Sequence, residues 1–430
     1  MDRSVTRMLA LGASTLLLTL PLAAPAAEWY AEPSLKATSR YDDNVRLLPE
    51  NEQSAAEFAL TPRLPFGRRT ERSELEGVLD FRVRRFNRSD LDTNDARFDL
   101  NGYYLASERS RLTLDLSLVR DTTLDTELDD TGVVYSRVRR NSRTLSPGLT
   151  HIFNEKTRGS LTLGLTRVDY ADEATTGLRD YENRSATASV NRQWSQKTVL
   201  TASLGWSRYQ REDDSVRSDN TQLTLGAEHR FTERSRLSAY AGTRRTETRV
   251  STGATACPDG TVFDAFGLFF GLPPCVDTAT GTRSDFVTIT LSSTSRSSGS
   301  VFGLTATHEF ETGELSVDAS RSITPQASGQ GLLISDRLGF SATHGFTETL
   351  SGRLGLNWYR ASATDDAIGA VDRTYITFTS GLRWQPRRDW SFSLAYRYRK
   401  QDREATLGSA TGNVVSLALN YAWPRLTRSR

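Results

Sequence analysis

The chain contains four histidines, and each stands in the same frame. They occur in HIFNEKT (151–157), HRFTERS (229–235), HEFETGE (308–314) and HGFTETL (344–350), always with Phe two residues on. Imidazoles repeated in one context could ligate a metal or act as general bases. Residues two apart on a strand share a face. That face also carries Leu223 and Leu225 on one segment and Leu338 and Phe340 on another, so it is the apolar one. Neighbouring copies from His229 on fall on strands two apart, about 10 Å at ~4.8 Å per strand, and His151 lies farther off. Zinc needs ligand nitrogens at ~2.0–2.1 Å, so these histidines cannot share an ion. No Ser and acid accompany any of them in a triad-like arrangement. A nucleophile elbow, a phosphate loop and paired metal-ligand motifs are absent as well, so the chain reads as non-enzymatic, with no cofactor. Rings at one height fit an interfacial aromatic girdle instead. Its members are His151, Phe153, Trp194, His229, Phe231, His308, Phe310, His344, Phe346, Trp384 and Trp423.

The elements that position these rings show in a period of two. RLTLDLSLVRD (111–121) puts Leu112, Leu114, Leu116 and Leu118 on one face, with Arg111, Thr113, Asp115 and Ser117 opposite. WSFSLAYRYRK (390–400), ELEGVLDFRVR (74–84) and RSRLSAYAGTR (234–244) obey the same rule, which is strand patterning. Short turns such as NEK, SQK, TER, ETG, TET and RRD alternate with longer connections such as YADEATTGL (170–178) and ASATDDAIGAVDR (361–373). The expected strands are 30–41, 54–67, 74–86, 94–107, 111–122, 137–153, 157–170, 179–194, 198–211, 216–231, 235–249, 297–310, 314–325, 332–346, 350–362, 373–385, 390–401 and 412–423, eighteen in all. DFVTITLSS (285–293) reads as a strand extending a neighbour above the membrane. The pattern predicts an all-β, transmembrane, up-and-down antiparallel β-barrel with short periplasmic turns and longer extracellular loops. A closed barrel leaves no sheet edge and pairs every backbone group, which lipid demands.

The first residues point to the same compartment. Residues 1–27 carry Arg3 and Arg7, an apolar stretch from Met8 to Leu22 and a small-residue site at Ala24-Pro25-Ala26, the form of a secretory signal peptide. Residues 28–430 are then the barrel, in the bacterial outer membrane with both termini periplasmic. The near-neutral charge of +2 leaves no footprint for nucleic acid. Lys36, Lys156, Lys197 and Lys400 are the only lysines among 54 basic residues. Arg in such excess suits bidentate pairing with carboxylates.

The inward face, by the same alternation, holds Glu74, Glu76, Asp80, Arg82 and Arg84, then Arg97, Asp99, Arg111 and Asp115. Further on it holds Glu228, Arg230, Arg236, Glu314, Asp318, Arg337, Arg353, Arg383, Arg397 and Arg399. Charges in this number stay ionised only in a hydrated lumen. Acids and bases nearly balance, which argues against strong anion selectivity. An eighteen-stranded barrel is wide enough for an aqueous channel unless plugged. The candidate plug is the connection 250–296, containing CPDGTVFDAFGLFFGLPPC (257–275). An oxidising compartment makes a Cys257–Cys275 disulfide expected. Phe263, Phe266, Phe269 and Phe270 make this loop strongly apolar. It constricts the lumen, caps the mouth, contacts a partner at the cell surface, or is a small self-packed surface loop.

The segment AEPSLKATSRYDDNVRLLPENEQSAAEFALTPRL (31–64) resembles an outer-membrane β-barrel porin family associated with exopolysaccharide biosynthesis and export in Gram-negative bacteria. The shared features are an opening strand, the Tyr41 to Val45 turn, and a second strand running into Thr61 to Leu64. The meander up to VVSLALNYAWP (414–424) looks like the same family. The resemblance implies passage of polysaccharide across the outer membrane, with periplasmic export proteins as partners beside the lipid, and brings no catalytic residues. A general or small-solute porin, and a surface adhesion or structural barrel with a closed lumen, are the other readings. One departure from many such barrels is that seven residues follow Trp423.

Overall fold

The computed structural model describes residues 27–123, 137–171, 178–265, 268, 272–325, 332–363, 373–403 and 408–429. The expected signal peptide, apart from Ala27, lies outside them. The chain runs up and down through β1 (Ser34–Asp42), β2 (Ala55–Arg69), β3 (Ser73–Phe86), β4 (Thr93–Ser107), β5 (Ser110–Thr122) and β6 (Arg139–Asn154). It continues with β7 (Thr157–Tyr170), β8 (Tyr181–Ser195), β9 (Thr198–Arg211), β10 (Val216–Arg230), β11 (Ser235–Ala256) and β12 (Val287–Glu309). The last six are β13 (Gly313–Pro325), β14 (Leu332–Gly345), β15 (Leu350–Ala363), β16 (Arg373–Trp384), β17 (Trp390–Arg403) and β18 (Ser409–Ala422). Each pairs antiparallel with its neighbours in sequence, and β1 also pairs with β18 from Ser34↔Ala422 to Asp42↔Val414. The result is a closed eighteen-stranded antiparallel barrel, as the alternation predicts.

The boundaries differ from the sequence expectation in two places. The first strand is interrupted at Pro33, which has no N–H for the ladder. Glu28–Ala31 continues it below the break, pairing with β2 and with Leu426–Ser429 beyond Pro424. The tail after Trp423 is therefore part of the wall. The strands β11 and β12 are 22 and 23 residues long: β12 begins at Val287, as the 285–293 reading expects, and the difference is that β11 runs on to Ala256 to pair with it. At ~3.3 Å per residue this hairpin is about 70 Å long, against an apolar band of about 25 Å.

Alternation sorts the wall into two faces. Leu112, Leu114, Leu163, Leu204, Leu225, Leu338 and Leu394 are among the many large apolar side chains exposed on the outside. The short connections all lie at one end of the barrel, and the first residue of several turns closes them. Thr70, Thr232 and Thr347 Oγ1, Asn154 Oδ1 and the Ser107 and Ser195 hydroxyls each accept from the backbone amide two residues on, at 3.0–3.3 Å. The repeated polar turns are thus side-chain-capped bends.

At the other end β11 and β12 rise past the rest, and Val287 to Thr294 are exposed on both faces. Their connection forms its own three-stranded sheet from Thr261–Phe263, Cys275–Asp277 and Arg283–Ser284, separate from the barrel sheet. The Cys257–Cys275 disulfide is formed. Reduction should therefore speed proteolysis within 257–284 and leave the barrel's heat-modifiable gel mobility unchanged. Loss of that mobility on reduction would show that the two sheets depend on one another.

Candidate functional site

The four histidines are explained at the short-turn end. Each Nδ1 shares a hydrogen bond with a hydroxyl on the preceding strand or turn: His151 with Ser110 (2.9 Å), His229 with Thr198 (2.9 Å), His308 with Ser235 (2.8 Å) and His344 with Thr312 (3.3 Å). Each ring also meets the Phe two residues on, edge to face, with centroids 4.5–5.1 Å apart. The imidazoles lie on the outward face and tie adjacent strands together. Trp194, Trp384 and Trp423 are exposed on the same outer face. Sequence reading missed Trp390, Tyr421 and Phe392, which extend this aromatic row. Trp390 packs against Tyr421 at 4.8 Å and Phe392 on Trp384 at 5.4 Å.

The candidate site is the interior. Strand register carries one parity of each strand onto the inner face. On β3 that parity holds Glu74, Glu76, Asp80, Arg82 and Arg84, facing Tyr103, Asn101, Arg97, Asp95 and Thr93 of β4. Glu76 accepts from the Tyr30 hydroxyl at 2.9 Å, and Arg84 is buried 3.1 Å from Asp95. Arg97 lies 2.5 Å from Asp99, which also accepts from Ser117. Arg111 lies over the Tyr103 ring at 3.8 Å, and Asp115 stands opposite Asn101 and Ser146. Near the short turns Glu228 is 3.7 Å from Arg230, Arg230 faces Arg236, and Glu314 faces Glu309. Asp318 stands opposite Thr305 and Gly339, and Arg337 lies over Tyr359.

A cavity of about 1010 Å³ lies inside the wall, lined from ten consecutive strands, β15 to β18 and β1 to β6. It brings together Asp80, Arg82, Arg97, Arg353 and Arg397 from the expected inward set and adds Lys36, Arg40 and Arg63. Here the expected charge balance fails: nine lining residues are basic and four acidic. The reason is local. Glu74, Glu228, Glu314 and Asp318, which evened the count along the whole inner face, are not part of this lining. The wall opposite is neutral along β8 to β10, with Arg244 of β11 facing Gln222 at its margin. Inward residues are Ser, Thr, Asn, Gln or Gly from Asn183 to Gln193 on β8, Thr201 to Ser207 on β9 and Ser218 to Gly226 on β10. They bond to one another, as Ser160 does with Ser189 (2.7 Å) and Thr201 with Asn191 (2.7 Å).

Above this cavity the mouth is packed, chiefly by the connection after β1. Leu47, with φ of 50°, sits among Leu333, Tyr359, Ala361, Tyr375 and Ala410. Leu332 of β14 and Ile323 of β13 pack with Tyr209 and Val216 of β9 and β10. Arg399, expected to line the lumen, is instead 1% exposed at its side chain and donates to Asp42 Oδ1 (2.6 Å) and the Asn44 carbonyl (3.1 Å). The Asn44 amide donates to the carbonyls of Leu48 and Thr411. Asp43 accepts from the backbone and side-chain nitrogens of Asn413. A Cβ on Gly412 would lie 3.1 Å from Arg399 Nη2 and 3.3 Å from Leu47. The Tyr41–Val45 motif is thus a latch at the seam where first and last strands meet. Its spacing was legible in the sequence; its partners, some 350 residues away, were not. The disulfide loop takes no part in these clusters among the described residues. Phe263 stacks on Phe286 at 5.9 Å, while Phe266, Phe269 and Phe270 lie outside the described residues.

Asp169, Asp180 and Glu212 bring carboxylates within 4.8 Å of one another. Arg167 already bridges Asp169 and Glu212, and Arg143 also reaches Asp169, so the cluster is neutralised by guanidinium.

No family model matches the chain, and no curated protein matches it. Among solved structures it is similar to Pseudomonas aeruginosa OpdQ at 9% identity and a TM-score of 0.46, covering 92% of this chain and 99% of that one. Acinetobacter baumannii OccAB4 gives 10% identity and 0.48, covering 95% and 100%. The E. coli ferric-catecholate import receptor Fiu gives 11% and 0.47, covering 91% and 81%.

The latch predicts a measurable coupling. Arg399→Met leaves the buried Asp42 carboxylate with Arg40 as its one close cation, beside the Asn44 backbone amide, and should lower unfolding stability by about 3 kcal/mol. Adding Asp42→Asn should recover part of that loss. Urea unfolding of the refolded barrel in micelles, followed by tryptophan fluorescence, reads both. Equal midpoints for Arg399→Met and the parent chain would remove the latch.

Proposed function

We propose that the chain is an outer-membrane channel for small polar solutes, with the short turns and both termini on the periplasmic side. One observation carries this reading. A closed wall with leucine outside encloses a cavity lined by charged side chains. Lipid fits the outer face, because a closed sheet leaves no backbone group unpaired in hydrocarbon. The Trp, His and Phe rings at the short-turn end fit a membrane–water boundary. Water fits the inner face, where Arg and Asp remain ionised only if hydrated.

The resemblance of residues 31–64 supports a second reading, passage of exopolysaccharide beside periplasmic export proteins. Only that segment of the resemblance is specific, and its Asp42, Asp43 and Asn44 make side-chain contacts within the wall and mouth. The small-solute reading needs no partner and is the one the cavity supports.

Single-channel conductance of the refolded protein in planar bilayers tests the proposal. The intact chain is compared with a variant in which residues 45–52 are replaced by a short Gly-containing turn. Small or intermittent steps in the intact protein and larger, steadier steps in the variant are expected, because Leu47 and its neighbours pack the mouth. Silence from both, with folding confirmed by gel mobility, would discard the channel and leave a surface role for the protruding disulfide hairpin.

A further inference from the structure

We infer that the solute selected by this lumen is anionic and rich in hydroxyl groups, an acidic saccharide by its chemistry. The inference rests on the channel reading and names its substrate class. Two features of the inner face carry it, one from each side of the barrel.

The charged wall divides into paired and unpaired cations. Arg140 donates twice to Asp121 at 3.0 Å, Arg97 is held by Asp99, Arg63 by Asp80, and Arg40 by Asp42. Lys36, Arg82, Arg353 and Arg383 have no carboxylate partner among the described residues, and all four are exposed to the lumen. Lys36, Arg82 and Arg353 line one cavity, and Arg383 stands on the same inner face two residues from its lining residue Gly381, so the four form one patch. The acids nearby are occupied by other cations: Asp80 by Arg63, and Asp95 by Arg84 and Arg139. The patch therefore keeps a net positive field, which draws anions into a cleft of low dielectric. Guanidinium presents paired donors matched to a carboxylate.

The opposite wall completes the selection. Nine strands round from β18, β9 and its neighbours present hydroxyl and amide groups such as Ser203, Ser189, Thr224 and Gln222, with no acid in that stretch to repel an anion. These groups both donate and accept, as sugar hydroxyls require. A simple inorganic anion would need only the basic wall. A neutral sugar would need only the other. Hydrated, unpaired cations bind weakly enough to release what they attract, as passage demands.

The test uses the full-length protein in planar bilayers. The zero-current potential is read under a potassium chloride gradient, then with chloride on one side replaced by glucuronate. Conductance is also read in added glucose, which carries the hydroxyls without the charge. The comparison variant is Lys36→Gln, Arg82→Gln, Arg353→Gln and Arg383→Gln combined, with Arg82→Gln and Arg353→Gln singly in case the combination does not fold. In the parent protein, anions should be preferred over potassium at least about threefold at ~0.1 M salt, where the screening length is ~10 Å. Glucuronate should carry current and glucose should not block it. The combined variant should lose the preference while keeping its conductance, and each single variant should lose part. A parent channel without anion preference, one that excludes glucuronate, or a variant that keeps the preference would overturn the inference. If the parent protein does not conduct, the channel reading falls and calorimetry of glucuronate with the detergent-solubilised barrel decides the rest. Binding weakened about tenfold or more in the combined variant would uphold the site, and no binding would end it.

Discussion

The structure depends on one closure. A sheet in lipid cannot have an edge, since every unpaired N–H and C=O in hydrocarbon costs several kcal/mol. Eighteen strands meet that condition only where β1 and β18 join, and β1 is nine residues long. The short strand is reinforced from both ends. Below, Glu28–Ala31 and Leu426–Ser429 continue the pairing past two prolines. Above, Asp42, Asp43 and Asn44 reach across to Arg399, Asn413 and Thr411. A buried ion pair stabilises little against an apolar replacement, but breaking it is expensive. Asp42 and Arg399 therefore serve to specify the seam's register and the path of the loop that follows it.

That loop connects closure to the lumen. The chain leaving β1 turns inward, places Leu47 among the inward side chains of β14 to β18, and narrows the mouth. The same residues that complete the wall thus set the width of the opening. Beneath them the lumen has two unlike sides, a basic one on the strands near the seam and a hydroxyl-lined one across from it. In the proposed channel this asymmetry would orient a solute as well as admit it, because charge and hydroxyls stand on different walls.

Much of the fold was legible from residue order. A period of two along RLTLDLSLVRD or WSFSLAYRYRK states which side chains face out, because strand geometry allows no other reading. The two boundary differences arise where local rules compete. Pro33 interrupts a strand by lacking a donor, and β11 runs on to Ala256 because the extension of β12 offers its backbone a ladder. The histidine frame was legible as a shared height, though not as four bonds to hydroxyls on neighbouring turns. The site was legible in kind but not in arrangement. Alternation could say that Arg82, Arg353 and Arg399 face inward. It could not say that Arg399 is buried in the mouth while Arg82 and Arg353 stand free over a cavity.

By itself, then, the order of residues determined the strand class, the strand count, the inner and outer faces and the alternation of short and long connections. Each of these follows from neighbours within about ten residues along the chain. Tertiary structure alone decided which loop packs the mouth, which cations keep acid partners, and that the basic and neutral walls face one another. Those depend on shear and closure, which bring residues 42 and 399 within hydrogen-bond distance. No local pattern encodes a contact whose two halves lie at opposite ends of the chain.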